Sequence, residues 1–219
     1  MWLGLAKKRT LLLPTWKGVV VVIVLLMAII WLVLANVYDV LAIDNRLPTA
    51  DIVIVEGWSN DTGIEAAIEE LNAGRCHSIC TIGVALGRGA PLIDYKDFAS
   101  LAAASLRQAG VASEKIIIAP GGGQLRDRTY VSYVKGKEKL VAQEPPVTRV
   151  NIISEGPHAR RSYIVAHKVF GEDYEIGMLI VDPVDYDHNR WYASSGGVKA
   201  VFMEAMACAF EWVGDGGRK

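Results

Sequence analysis

The stretch RVNIISEGPHARRSYIVAHKVFG (149–171) changes character halfway along. Residues 149–154 form an apolar, strand-like run. Residues 157–171 read as a helix. Pro157 suits the first helical position, which makes Gly156 the expected cap, and Gly171 closes the segment. A strand running into a helix within a few residues is half of a β-α-β unit. The junction also carries His158, Arg160 and Arg161, three cations at the end of a buried strand.

The same alternation recurs along the chain. Residues 50–57 (ADIVIVEG) are a β-branched strand, and 60–74 a helix capped by Asp61 or Thr62 and ended by Gly74. Residues 78–84 are a strand. Residues 95–110 are a helix with Asp97 in its first turn, where the macrodipole favours an acid. Residues 115–120 are a strand, and 127–142 a helix capped by Asp127. A final strand at 174–181 precedes a final helix at 196–213. Short apolar strands alternating with helices predict an α/β fold: a doubly wound, mostly parallel five-stranded sheet with helices on both faces. Strand order is not legible. In such sheets ligands bind beyond the carboxyl ends of the strands. That edge gathers Glu56 to Trp58, Gly83 to Gly87, Pro120 to Gln124, Ser154 to His158, and Asp182.

Ahead of this lies GVVVVIVLLMAIIWLVLANVY (18–38), with no charged residue. A bilayer core requires roughly 20 apolar helical residues. Lys7, Lys8, Arg9 and Lys17 precede the run, and Trp16 and Tyr38 stand at its edges. This predicts a basic cytoplasmic tail at 1–17, a transmembrane anchor at 18–38, a stalk at 39–49, the α/β domain at 50–213 and a tail at 214–219. The positive-inside bias places the domain outside the cytoplasm. A cleaved signal peptide is the competing reading. Its apolar region would be shorter, and Val33-Leu34-Ala35 is a poor cleavage site.

Net charge is −1 for the 219 residues, and residues 39–219 carry −5. An acidic domain offers no footprint for nucleic acid. The expected partner is the lipid bilayer, through residues 18–38. Cys76, Cys80 and Cys208 fit neither a zinc nor a haem spacing and read as buried structural residues.

The ligand-binding candidates are Gly57, Gly121, Gly122, Arg128, Thr129, Gly156, His158 and Arg161. His158 and Arg161 are three apart and share a helical face. With the free N–H groups of a helix start they would form an anion site; Arg160 points elsewhere. Against this stands a reading in which both arginines are solvated and His158 caps or packs. PGGGQLRDRTY (120–130) permits close backbone approach but is neither GxGxxG nor a Walker loop, so it licenses no nucleotide. Glu56 and His158 are the catalytic candidates. Glu56 can act as a general base, a metal ligand or a salt-bridge partner of Arg161, or it can cap the following helix. No metal motif stands out.

Taken together, these residues resemble a large bacterial family that includes the SanA, ElyC and YdcF proteins. The family pattern has a first strand ending near a small or acidic residue. An acidic residue then precedes a helix before Gly-Val, followed by an S-R-T-x-x-N-A element and a strand leading into H-x-x-R-A. Asp97 stands ahead of Gly110-Val111. Arg128 and Thr129 match the third element, and His158 and Arg161 the fourth. Glu204 resembles a late helical glutamate of the anchored members. The chain departs from the pattern at Ser132-Tyr133, in place of Asn-Ala, and at Ser162, in place of alanine. The resemblance spans roughly residues 50–213. It implies a role in envelope biogenesis or barrier integrity, with a phosphate-bearing peptidoglycan or lipid-linked precursor as ligand. A non-catalytic envelope scaffold and an S-adenosylmethionine-binding protein are the alternatives, and the cofactor is unknown. An enzyme should bring Glu56 near His158 and Arg161 around a concave site, whereas a scaffold need not.

Overall fold

The structure, a computed structural model, describes residues 13–87, 94–123 and 126–214. Lys7, Lys8, Arg9 and Gln124, named above, lie outside these. The chain divides into two compact units, Met1–Asn36 and Val37–Lys219.

Helix α1 (Trp16–Leu41) has a mean hydropathy of 3.2 in its most apolar window and is long and apolar enough to cross a membrane. At 26 residues it measures about 39 Å, against a hydrocarbon core of about 30 Å. Its apolar side chains are exposed as far as Leu34, but Tyr38 and Leu41 in its last turn are buried in the second unit.

The second unit is a five-stranded, all-parallel sheet: β1 (Ile52–Glu56), β2 (Ser78–Gly83), β3 (Ile116–Pro120), β4 (Arg149–Glu155) and β5 (Glu175–Val181), in the order β3-β2-β1-β4-β5. Helices α2 (Asp61–Asn72), α3 (Phe98–Gln108), α4 (Arg128–Val141) and α5 (Ala159–Phe170) connect the strands, and α6 (Ser195–Val213) ends the described chain. The expected α/β architecture is present.

Burial on both faces explains the continuous apolar strands. Successive side chains alternate between faces. Ile52 and Ile54 therefore join Tyr133, Leu140, Val165 and Phe170 beneath α4 and α5. Val53 and Val55 join Ile64, Ala67, Ala102 and Leu106 beneath α2 and α3. The segment read as a stalk is laid along β4 and β5: Asn45 and Met178 exchange backbone and side-chain bonds at 3.0 Å, and Leu47 pairs with the Asn151 amide.

Three helix starts differ from expectation. Asn60, not Asp61 or Thr62, caps α2 by accepting from the Thr62 amide. It sits in extended backbone, where its short amide reaches back over the first turn. Asp97 caps α3 from outside the helix, accepting from Ser100 N at 2.7 Å. Asp127 stands at the cap position of α4 with left-handed φ 51°, ψ 37°, and its side chain makes no capping bond. The chain after β4 also differs. Gly156–His158 is a 3-10 turn, and α5 begins at Ala159 with His158 at its cap position. Gly156 has φ +44°, outside the extended range of an N-cap, and a side chain there would strike the Tyr38 hydroxyl.

Candidate functional site

The chain winds outward from β1 to β3, then returns to place β4 on the other side of β1. The β1/β4 junction is therefore the topological switch point, where ligands collect in open sheets. Glu56 ends β1 there and is fully buried. Three hydroxyls donate to its carboxylate: Tyr133 to Oε1 at 2.9 Å, Ser162 to Oε1 at 2.5 Å and Ser154 to Oε2 at 2.6 Å. They come from α4, α5 and β4. His158 completes the surround, with Nε2 3.5 Å from Oε1.

The opposite edge of the imidazole meets α6. His158 Nδ1 is 3.1 Å from Glu204 Oε1. Arg161 grips Glu204 side-on, Nε to Oε2 at 2.7 Å and Nη2 to Oε1 at 2.9 Å, and donates from Nη1 to Thr129 Oγ1 at 2.9 Å. Two carboxylates and two cations thus alternate: Glu56, His158, Glu204, Arg161. Burial works against charge on His158, but Glu56 and the bond to Glu204 outweigh it and lift its pKa from 6.5 to about 9. The ring is therefore an imidazolium at neutral pH. Nδ1 donates to Glu204, and Arg161 Nη2, 2.9 Å from Nδ1, is a second donor to the same carboxylate. Burial also raises Glu204, yet the bonds from His158 and Arg161 prevail and bring it down to about 2. For Glu56, burial is again outweighed, by His158 and the serine hydroxyls, and the carboxyl lies below its usual range.

This network forms the polar end of a cleft of about 960 Å³. Trp58, Phe98, Met203, Ala207 and Phe210 give the cleft an apolar wall. Trp58 stands edge-on to the His158 ring at 5.8 Å, and Arg128 lies over the Phe98 ring at 5.6 Å. Glu155, which accepts from Asn60 at 2.9 Å, Asp185 and Lys199 contribute further charge.

Of the residues expected at the site, Arg128, Thr129, His158 and Arg161 line this cleft together. Glu56 lies behind it, out of reach of the cleft but in contact with His158. Gly57, Gly121, Gly122 and Gly156 are not lining residues. Gly57 is buried where a Cβ would run into the backbone carbonyls of Phe98 and Ile82, and Gly121 packs on Val84 in the same way. Gly122 is exposed and its carbonyl accepts from Ala85. Arg160 faces away, as its position implied, and donates to the Val40 carbonyl at 2.7 Å. The hydroxyls of Tyr133, Ser154 and Ser162 were not anticipated, and neither was the α6 wall; an apolar helix pattern does not reveal which face will border a cleft.

Among the described residues, no group of three or more His, Cys, Asp or Glu side chains is placed to hold a metal ion. Cys76, Cys80 and Cys208 are free and buried, and burial raises their thiols to about 11, 12 and 11. No protein-family model matches the chain, and no curated protein matches it.

Proposed function

We propose that this protein is anchored by the exposed apolar length of α1, within the span read as residues 18–38 but short of the buried Tyr38, in a bacterial inner membrane, with its α/β domain outside the cytoplasm. There it would act in envelope biogenesis or barrier integrity, as the resemblance to the SanA, ElyC and YdcF proteins implies. In this reading the cleft takes an amphiphile bearing a phosphate. The observation that carries the proposal is the meeting of an apolar wall with the His158–Arg161 pair at the β1/β4 switch point. Glu204 already grips Arg161 in the planar, two-point fashion that a phosphate uses, so a ligand anion would compete with it or use the remaining N–H groups of Arg161. Arg128 adds a cation at the cleft surface. His158, with Nδ1 held by Glu204 and its buried Nε2 facing Glu56, keeps a positive charge at the polar end of the cleft in this reading. Glu56 acts through His158 and is a positioning residue.

Farnesyl phosphate, farnesol and inorganic phosphate serve as probes of whole ligand, tail and head, titrated calorimetrically at one salt concentration. Farnesyl phosphate should bind more tightly than either part. Loss of a charge-assisted bond is worth about 1.5–3 kcal/mol, roughly ten- to a hundred-fold in affinity. Arg128→Ala and Arg161→Ala should lose about that, and Arg160→Ala should stay within about twofold. Equal losses for Arg160→Ala and Arg161→Ala would mean a diffuse charge effect. Absence of farnesyl phosphate binding would end the proposal. Orientation is tested separately by a reporter fused after Lys219, which should be active only outside the cytoplasm.

A further inference from the structure

Helix α6 is built the wrong way round for water. Its two acids point inward: Glu211 is buried and ion-paired with Lys168 at 3.2 Å, and Glu204 is held by Arg161 and His158. Its outer face carries Phe202, Met206 and Val213, at helical spacings of four and seven, with Met203 and Phe210 beside them. All five are exposed, Met206 by 68% and Val213 by 89%. Trp212 at the helix end is 85% exposed. A soluble helix turns these faces the other way, and a contiguous apolar patch of this kind marks an interaction surface.

The covalent path says what covers it. The inner face of α6 packs through Val201 and Cys208 on Tyr38 and Leu41. Tyr38 is two residues from Asn36, where the unit holding the apolar length of α1 ends. If α1 spans a bilayer, chain connectivity alone keeps α6 within reach of the lipid surface. We infer that the outer face of α6 is a lipid-contacting face that beds into the membrane interface in the manner of an amphipathic helix. Met203 and Phe210 also line the cleft, so a cleft bordered by this face would open at the lipid surface, where an amphiphile could enter without crossing water. Lys199, exposed in the first turns of α6, can extend its ammonium to the headgroups.

The inference rests on the anchored reading, and one experiment separates the two. In the full chain reconstituted in phospholipid vesicles, spin labels are placed singly through Met27→Cys, Met206→Cys and Glu138→Cys. Collision rates with oxygen, which partitions into lipid, and with a water-soluble nickel chelate are then compared. The unsubstituted chain, whose three cysteines are buried, gives the labelling background. Position 27 should favour oxygen, position 138 the nickel chelate, and position 206 oxygen by at least several-fold over position 138. An aqueous signal at 206 with a lipid signal at 27 overturns this inference and leaves the anchor standing. Low collision with both probes at 206 means that protein, not lipid, covers the face, and also overturns it. An aqueous signal at 27 removes the anchor and this inference with it.

Discussion

Arg161 and Glu204, 43 positions apart, form a two-point ion pair at 2.7 and 2.9 Å that ties α5 to α6 across the polar end of the cleft. Both side chains are about one-fifth exposed, at 22% and 18%. Removing one partner leaves the other charge in a place poorly served by water. Arg161→Ala should therefore destabilise the domain by about 2–4 kcal/mol, toward the lower part of what breaking a buried pair costs. The Arg161→Ala/Glu204→Ala double variant should cost less than the sum of the two single changes, with a coupling of about 1–2 kcal/mol in chemical denaturation. Strict additivity would show that the pair is not energetically linked. This also bears on ligand titrations with Arg161→Ala, which require a folding control.

The network should give the domain a defined pH window. His158 has a folded pKa of about 9 against 6.5, so its contribution is complete below pH 6.5 and is lost as pH rises through 9. Glu204 has a folded pKa of about 2 against 4.5, so its contribution is present above pH 4.5 and is lost as pH falls toward 2. Both act fully between about pH 4.5 and 6.5. Thermal melts of the wild type and His158→Gln from pH 5 to 9.5 check this. The wild type should lose more stability than the variant above pH 6.5, and parallel curves would contradict the assignment.

Glu56→Gln removes the buried charge while keeping its shape. The His158 imidazolium then loses the opposite charge 3.5 Å away, so its titration, followed by NMR of the ring protons, should move down. Tyr133→Phe deletes one donor to Glu56 but no charge. It should cost about 1.5–3 kcal/mol, the net value of a hydrogen bond to a charged group, and leave the His158 titration nearly in place. A larger shift in Tyr133→Phe than in Glu56→Gln would reverse the roles given to the two residues.

The last turn of α1 supplies a local contrast. Leu41 is 4% exposed and Val40 is 57% exposed. Leu41→Ala should cost about 2–4 kcal/mol, as core truncations do, and lower the melting temperature of the full chain by roughly 5–15 °C for a domain of this size. Val40→Ala should change it little, since its carbonyl, not its side chain, meets Arg160. Similar effects at the two positions would mean that the last turn of α1 does not pack as described.

The elements could be read from the sequence because buried parallel strands must be apolar on both faces. Runs such as Ile52-Val53-Ile54-Val55 therefore announce themselves, and Gly74, Gly110 and Gly171 mark where helices stop. His158 and Arg161 could be placed on one edge for the same reason. The surround of Glu56 was not legible. Its donors lie 77, 98 and 106 positions away, and a hydroxyl on a strand or helix looks the same in sequence whether it faces water or a buried carboxylate. Cap choice was ambiguous at Asn60-Asp61-Thr62, where any of three short polar side chains could serve and backbone geometry decides.

Helix α6 is made after all five strands yet touches residues made before any of them. Tyr38 and Leu41 wait for Trp191, Val201 and Cys208, about 150 residues downstream, and Arg161 and His158 wait for Glu204. Contacts of such long sequence separation form late. Until α6 is synthesised and docks, the nascent chain would carry Arg161 and His158 without Glu204, and an uncovered patch around Tyr38. A product stopped short of residue 195 should therefore retain all five strands and still fail to close, and it should be cleared by the cell's proteases rather than accumulate as a smaller working domain.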